Sequence, residues 1–157
     1  MKRVLFVCLG NICRSPTAHG VFQKMVDDAG LSDQVEVDSA GTAAWHIGKS
    51  PDSRSASAAA KRGYDLSPLR ARQAVSADFE QFNYVLAMDK ENLTNLQAIC
   101  PPGSRSAPQL FLYDFGKAFP EIEVPDPYYG GDAGFEHVLD LLEDACSNLL
   151  TDVRQQL

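Results

Sequence analysis

Two short stretches hold residue types that could do chemistry together. In VCLGNICRSP, residues 7–16, Cys8 stands six positions before Arg14, and Ser15 follows that arginine. In VPDPYYGG, residues 124–131, Asp126 stands between two prolines. A cysteine thiolate is a nucleophile, a guanidinium fork binds two phosphate oxygens, and a carboxyl group can protonate a departing oxygen. Together they suit attack on a phosphate ester.

The first stretch also reads as an anion cradle. It follows the apolar run Val4 to Val7, and ligands in open parallel sheets bind beyond the carboxyl ends of strands. Ser15 is expected to cap the next helix and Pro16 to take its first position, so free amides and the positive helix end face the turn. Gly10 and Asn11 are expected to adopt the left-handed conformations that curl a loop around an anion. These positive surroundings, with the Ser15 hydroxyl, favour a thiolate at Cys8. Leu9, Gly10, Asn11, Ile12, Cys13, Arg14 and Ser15 then line the phosphate site. A C-x5-R spacing alone is a weak signal; its place between a strand and a helix gives it weight. The G-x4-G-K-[ST] pattern of nucleotide-binding loops is absent. Cys13 is open to two readings, as a small residue packed under the loop or as a thiol that captures oxidised Cys8 in a disulfide.

The elements that must hold these residues follow from periodicity. After the first strand, Phe22, Met25 and Val26 mark the inner face of a helix that stops at Gly30, and QVEVDSA alternates as a second strand. Residues 50–63 read as an alanine-rich helix ending at Gly63, Ser76 as the cap of a short helix through Phe82, and YVLAM as a third buried strand. DKENLTNLQAI is a helix with Asp89 at its start, closed by Pro101, Pro102 and Gly103. Gln109 to Tyr113 look like a fourth strand, and a final helix from about Phe135 carries Val138, Leu141, Leu142, Cys146, Leu149, Leu150 and Val153 at helical spacing. Alternating strands and helices predict an α/β architecture with a parallel sheet.

Composition narrows the partners. At 157 residues and 45% hydrophobic, the chain is expected to form one domain over 1–157. A net charge of -7 disfavours nucleic acid, and no apolar run suits a membrane span, so a cytoplasmic protein is expected. The four cysteines and three histidines show no zinc-ligand spacing, so neither a metal nor a cofactor is expected. Cys100 and Cys146 read as small buried hydrophobes.

VCLGNICRSP resembles the phosphate loop of the low-molecular-weight protein tyrosine phosphatases, and the likeness continues through DSAGTAAWHIGKSPDSRS, RARQ, AMD and DPYYGG, nearly the whole chain. The details are most similar to bacterial members. The resemblance implies a single-domain, three-layer sandwich of the phosphatase I-like type, its four-stranded parallel sheet flanked by helices. It implies a metal-independent, monomeric hydrolase of phosphotyrosine proteins or small aryl phosphates, working through phosphocysteine and inhibited by phosphate or vanadate. By the same likeness Cys8, Arg14 and Asp126 are catalytic, with Asp126 the acid and then the base. Tyr128 and Tyr129 wall the aryl slot opposite Trp45, with Ile12 on the rim, and Ser39 helps hold Asn11. The family often has a histidine where Leu69 stands, so no role for that side chain is carried over.

Three other readings of the loop differ at identifiable residues. An arsenate reductase needs two further redox cysteines close together, which Cys100 and Cys146 are not. A protein-arginine phosphatase of this fold has threonine at the Ile12 position. A non-catalytic phosphate-binding module would tolerate loss of Cys8 or Asp126, and both are present.

Overall fold

The computed structural model describes residues 1–127 and 131–157. The central strand β1 (Lys2–Cys8) is an apolar run buried on both sides, as a strand inside a parallel sheet must be. It pairs in parallel with β2 (Val35–Gly41) and with β3 (Tyr84–Ala87), and β3 pairs in parallel with β4 (Pro108–Leu110), giving the order β2-β1-β3-β4. Alternation along β1 sends Val4, Phe6 and Cys8 to one face of the sheet and Leu5 and Val7 to the other.

The Phe6 face packs against α1 (Arg14–Asp28), α2 (Ser53–Lys61), α5 (Phe111–Phe115) and the long α6 (Asp132–Gln155). Phe6 meets Phe22 and Phe111 edge-on, with centroids 5.8 and 5.2 Å apart. The Leu5 face is covered by α3 (Asp78–Gln81) and α4 (Lys90–Ile99) through Phe79 and Leu96. The result is the expected α/β fold, a four-stranded parallel sheet flanked by helices. Its strand ends bring the loops after β1, β2 and β3 to one edge.

Local chemistry sets several boundaries. Asp52 caps α2, its carboxylate accepting the N–H groups of Arg54 and Ser55, and Gly63 leaves that helix at φ +89°. Asp89 caps α4 by accepting from Asn92 N–H. No helix among the described residues is long and apolar enough to cross a membrane.

Four expectations are corrected here. Residues 111–115 are helical, so β4 ends at Leu110. Phe111, Leu112 and Phe115 are buried while Tyr113 is 69% exposed, a helical stripe that the short apolar run Leu110 to Tyr113 does not distinguish from a strand. The closing helix begins at Asp132, one turn before Phe135. Helix α1 begins at Arg14, with Cys13 at its cap position and no side-chain cap, so Ser15 lies inside the first turn. Ser76 does not cap α3, because its hydroxyl donates to the Ile99 carbonyl.

Candidate active site

Backbone geometry curls the loop after β1. Among the described residues only Asn11 has a positive φ without being glycine, at 57°. Gly10 does not take that conformation; it is needed for space, since a Cβ there would lie 2.8 Å from the His46 ring. Gly41, at the end of β2, lies directly beneath the loop, where a Cβ would sit 2.7 Å from the Leu9 carbonyl oxygen and 3.1 Å from the Asn11 nitrogen. The loop is strapped down by Thr42 N–H to the Cys8 carbonyl, Ala43 N–H to the Leu9 carbonyl and Asp52 N–H to the Ile12 carbonyl, at 2.8–2.9 Å.

Cys8 is buried at the base of this curl. The Asn11 N–H donates to its sulfur at 3.3 Å, and the Ser15 hydroxyl lies 3.0 Å away. The Asn11 side-chain amide donates to Ser15 Oγ at 2.8 Å. With that lone pair filled, the Ser15 proton has two acceptors in reach, Cys8 Sγ and the Ala40 carbonyl at 3.3 Å. A negative sulfur is the stronger acceptor.

Arg14 is 4% exposed. One terminal nitrogen, Nη1, donates to Asp89 Oδ2 at 2.6 Å and to the Val124 carbonyl at 3.1 Å. Among the described residues nothing else bonds the guanidinium, which leaves Nε and the other terminal nitrogen as a fork for an anion. Burial opposes its charge, but Cys8, then Asp89 and Asp126, more than offset this and hold its pKa above the ordinary guanidinium value. Because α1 carries neither a side-chain cap nor an acidic residue in its first turn, its positive end also faces the site.

Cys8 and Arg14 line a cavity of about 220 Å³ with Leu9, Gly10, Ile12, Cys13, Trp45, His46 and Asp126. Asp126 is exposed and reaches the cavity from the segment after Val124, whose N–H donates to the Met88 carbonyl and whose own carbonyl holds Arg14. Trp45 is 69% exposed at the mouth. The structure thus brings Cys8, residues 9–15, Trp45 and Asp126 together. Tyr128 and Tyr129 lie outside the described residues.

Ser39 is not joined to Asn11. Its hydroxyl pairs with His19 Nδ1 at 3.0 Å, and the Asn11 side-chain oxygen Oδ1 is held by the Arg72 N–H at 3.1 Å. His19 is held below the usual imidazole range by burial, against the charge of Asp38. Cys13 shares the cavity, but its thiol is pushed up to about 12, first by burial, with its Ser55 bond working the other way. It is therefore a neutral thiol at pH 7. Cys146 is fully buried and Cys100 half-buried, and all four cysteines are free.

Sequence reasoning missed Asp89 in its second role, as well as Arg72, Gly41 and His46. Asp89 carried a signal: a helix-capping carboxylate has a second oxygen left over for another donor. The others depend on contacts between loops distant in sequence.

The chain is similar to known proteins along nearly its whole length. The family model described as low molecular weight phosphotyrosine protein phosphatase matches residues 3–157. A Synechocystis protein named for that family is 50% identical over 155 residues, spanning 99% of this chain and 98% of its own. A low molecular weight protein-tyrosine-phosphatase of Streptomyces coelicolor is 45% identical over 157 residues, covering 99% of this chain and 95% of its own. The crystal structure of an Entamoeba histolytica protein tyrosine phosphatase with Hepes in its active site superposes with a TM-score of 0.94 at 42% identity, covering 99% of each chain.

Proposed function

The chain belongs to the low molecular weight phosphotyrosine protein phosphatase family of hydrolases, and from that premise we propose that it cleaves phosphotyrosine and aryl phosphates through a phosphocysteine intermediate, without a metal. The observation that carries this reading is the environment of Cys8, whose sulfur receives the Asn11 N–H and stands beside the Ser15 hydroxyl at the floor of a positive loop.

The Cys8 thiolate attacks phosphorus. As the S–P bond forms and the P–O bond to the aryl group breaks, the loop amides and the Arg14 fork hold the equatorial oxygens where charge gathers. Asp126, protonated, gives its proton to the leaving phenolate oxygen. Water then attacks phosphorus and loses its proton to Asp126, the S–P bond breaks, and the Cys8 thiolate returns with inorganic phosphate released. Asp126 serves both halves because it lines the open side of the same cavity.

Ile12 and Trp45 form the rim that would meet the aryl ring. Support for a phosphotyrosine substrate comes from this apolar rim around a deep anion site. Cys13 is the thiol that would capture oxidised Cys8. All of residues 1–157 act as one catalytic domain, in the cytoplasm, where thiols stay reduced.

The test is turnover of p-nitrophenyl phosphate, a phosphotyrosine peptide and a phosphoarginine peptide in the presence of a metal chelator. Activity on the first two, abolished in Cys8→Ser with phosphate binding retained, is expected. Preference for phosphoarginine, or turnover by Cys8→Ser, would contradict the reading.

A further inference from the structure

The stretch RARQ, residues 70–73, takes no part in the chemistry above. It runs beside the end of β2, where Gln73 bridges Gly41, the Gly41 N–H donates to the Arg72 carbonyl, and the Ala74 N–H donates to the Gly41 carbonyl. Gly41 is the residue on which the phosphate loop rests. The remaining backbone group of Arg72, its N–H, donates to the side-chain oxygen of Asn11 at 3.1 Å.

The Arg72 side chain is unusually well fixed. Its two terminal nitrogens reach both oxygens of Asp78, each at 3.1 Å, and its Nε reaches Asp38 at 3.1 Å. Asp78 is 3% exposed and also accepts the Val75 N–H at 2.8 Å. A bidentate pair of this kind fixes direction as well as distance. Such an anchor has a purpose here, because no helix or named strand spans the segment between α2 and α3. The backbone there is held by the bridge to Gly41 and by Ala71, whose carbonyl accepts from the Gly48 N–H at 2.8 Å and whose N–H donates to the Lys49 carbonyl at 2.9 Å, and the Arg72 fork adds a side-chain anchor to these bonds.

We propose that Arg72 is a positioning residue for dephosphorylation: its fork, locked by Asp78 and Asp38, fixes the amide that holds Asn11, and Asn11 sets the groups that serve Cys8. A non-glycine residue in the left-handed region persists only where its surroundings over-determine it. Asn11 meets that condition at both ends of its side chain, with Arg72 holding the oxygen and Ser15 receiving the amide. Release of the oxygen lets the side chain turn. The Ser15 hydroxyl then loses the donor that directs its proton, and the Asn11 N–H loses its aim at the Cys8 sulfur.

This inference rests on Cys8 as the nucleophile, and a double-mutant cycle separates the two. Arg72→Lys and Asn11→Ala are made singly and together. Steady-state kinetics with p-nitrophenyl phosphate are measured beside the rate of Cys8 alkylation by iodoacetamide, read by peptide mapping. Arg72→Lys is expected to lower kcat about ten-fold or more and to slow Cys8 alkylation at about pH 6 by a similar factor. In the Asn11→Ala background the same substitution is expected to change either quantity by less than about two-fold, because coupled residues are not additive. Asp78→Asn, with Arg72 intact, should reproduce the loss, and it replaces Arg72→Lys if that variant does not fold. An equal loss in both backgrounds, or no loss from either Arg72→Lys or Asp78→Asn, overturns the proposal. If the parent does not turn over substrate, it is the nucleophile reading that fails, while the alkylation cycle still decides the Arg72 link.

Discussion

Asp89→Asn isolates the orientation of the phosphate-binding arginine. Asp89 Oδ2 accepts from Arg14 at 2.6 Å, with the two side chains 22% and 5% exposed, while Oδ1 caps α4 through the Asn92 N–H. Asparagine caps a helix nearly as well as aspartate, so α4 survives the change. When its oxygen keeps that cap, its amide nitrogen faces Arg14, donor against donor. A hydrogen bond to a charged group contributes about 1.5–3 kcal/mol, and if that positioning is spent in the transition state, kcat/KM falls roughly 10- to 150-fold. An enzyme with about 5–15 kcal/mol of total stability remains folded at 25 °C after such a loss, so the rate reports on Arg14 rather than on unfolding. The assay is steady-state hydrolysis of p-nitrophenyl phosphate by parent and variant, with thermal melts as the folding control. A folded Asp89→Asn enzyme whose kcat/KM stays within about two-fold of the parent would refute the reasoning.

Asp126→Ala should lower kcat by roughly 10² to 10⁴, measured on phenyl phosphate. Gly41→Ala brings a methyl group to 2.7 Å from the Leu9 carbonyl oxygen, where only backbone can yield. A loss of about 1–3 kcal/mol in denaturant melts is expected, with activity falling about 10²-fold if the loop shifts by near 1 Å. Mild peroxide should inactivate the enzyme through a Cys8–Cys13 disulfide that dithiothreitol reverses; peptide mapping should show the bridge, and Cys13→Ser should lose the recovery.

Much of this site lies within one continuous stretch, which is why it was legible. Cys8, Asn11, Arg14 and Ser15 are joined by the turn between β1 and α1, and apolar periodicity marked both flanking elements. Asp126 is remote in sequence, yet its two prolines and the family likeness pointed to it. The misreadings have a common cause in competition for a partner. Ser15 has the side chain of a helix cap, but Cys8 and Asn11 engage its oxygen. Ser39 has a hydroxyl at the end of a strand beside the loop's own, but His19 takes it. The Arg72 clamp was illegible because its partners Asp38, Asp78 and Asn11 lie on three separate elements, and only the sheet order brings them together. At residues 111–115 the short apolar run Leu110 to Tyr113 fitted either period, and burial of Phe111 and Phe115 one turn apart decided for the helix.

The central claim is a covalent bond from phosphorus to the Cys8 sulfur, and the most direct measurement is mass spectrometry of the enzyme acid-quenched during turnover of a phosphotyrosine peptide. Phosphate is predicted on the peptide that contains Cys8, localised by fragmentation to Cys8 rather than Cys13, and absent when Cys8→Ser is treated in the same way. Turnover at the parent rate with no phosphoenzyme at any quench time, or with phosphate on another residue, would contradict the account.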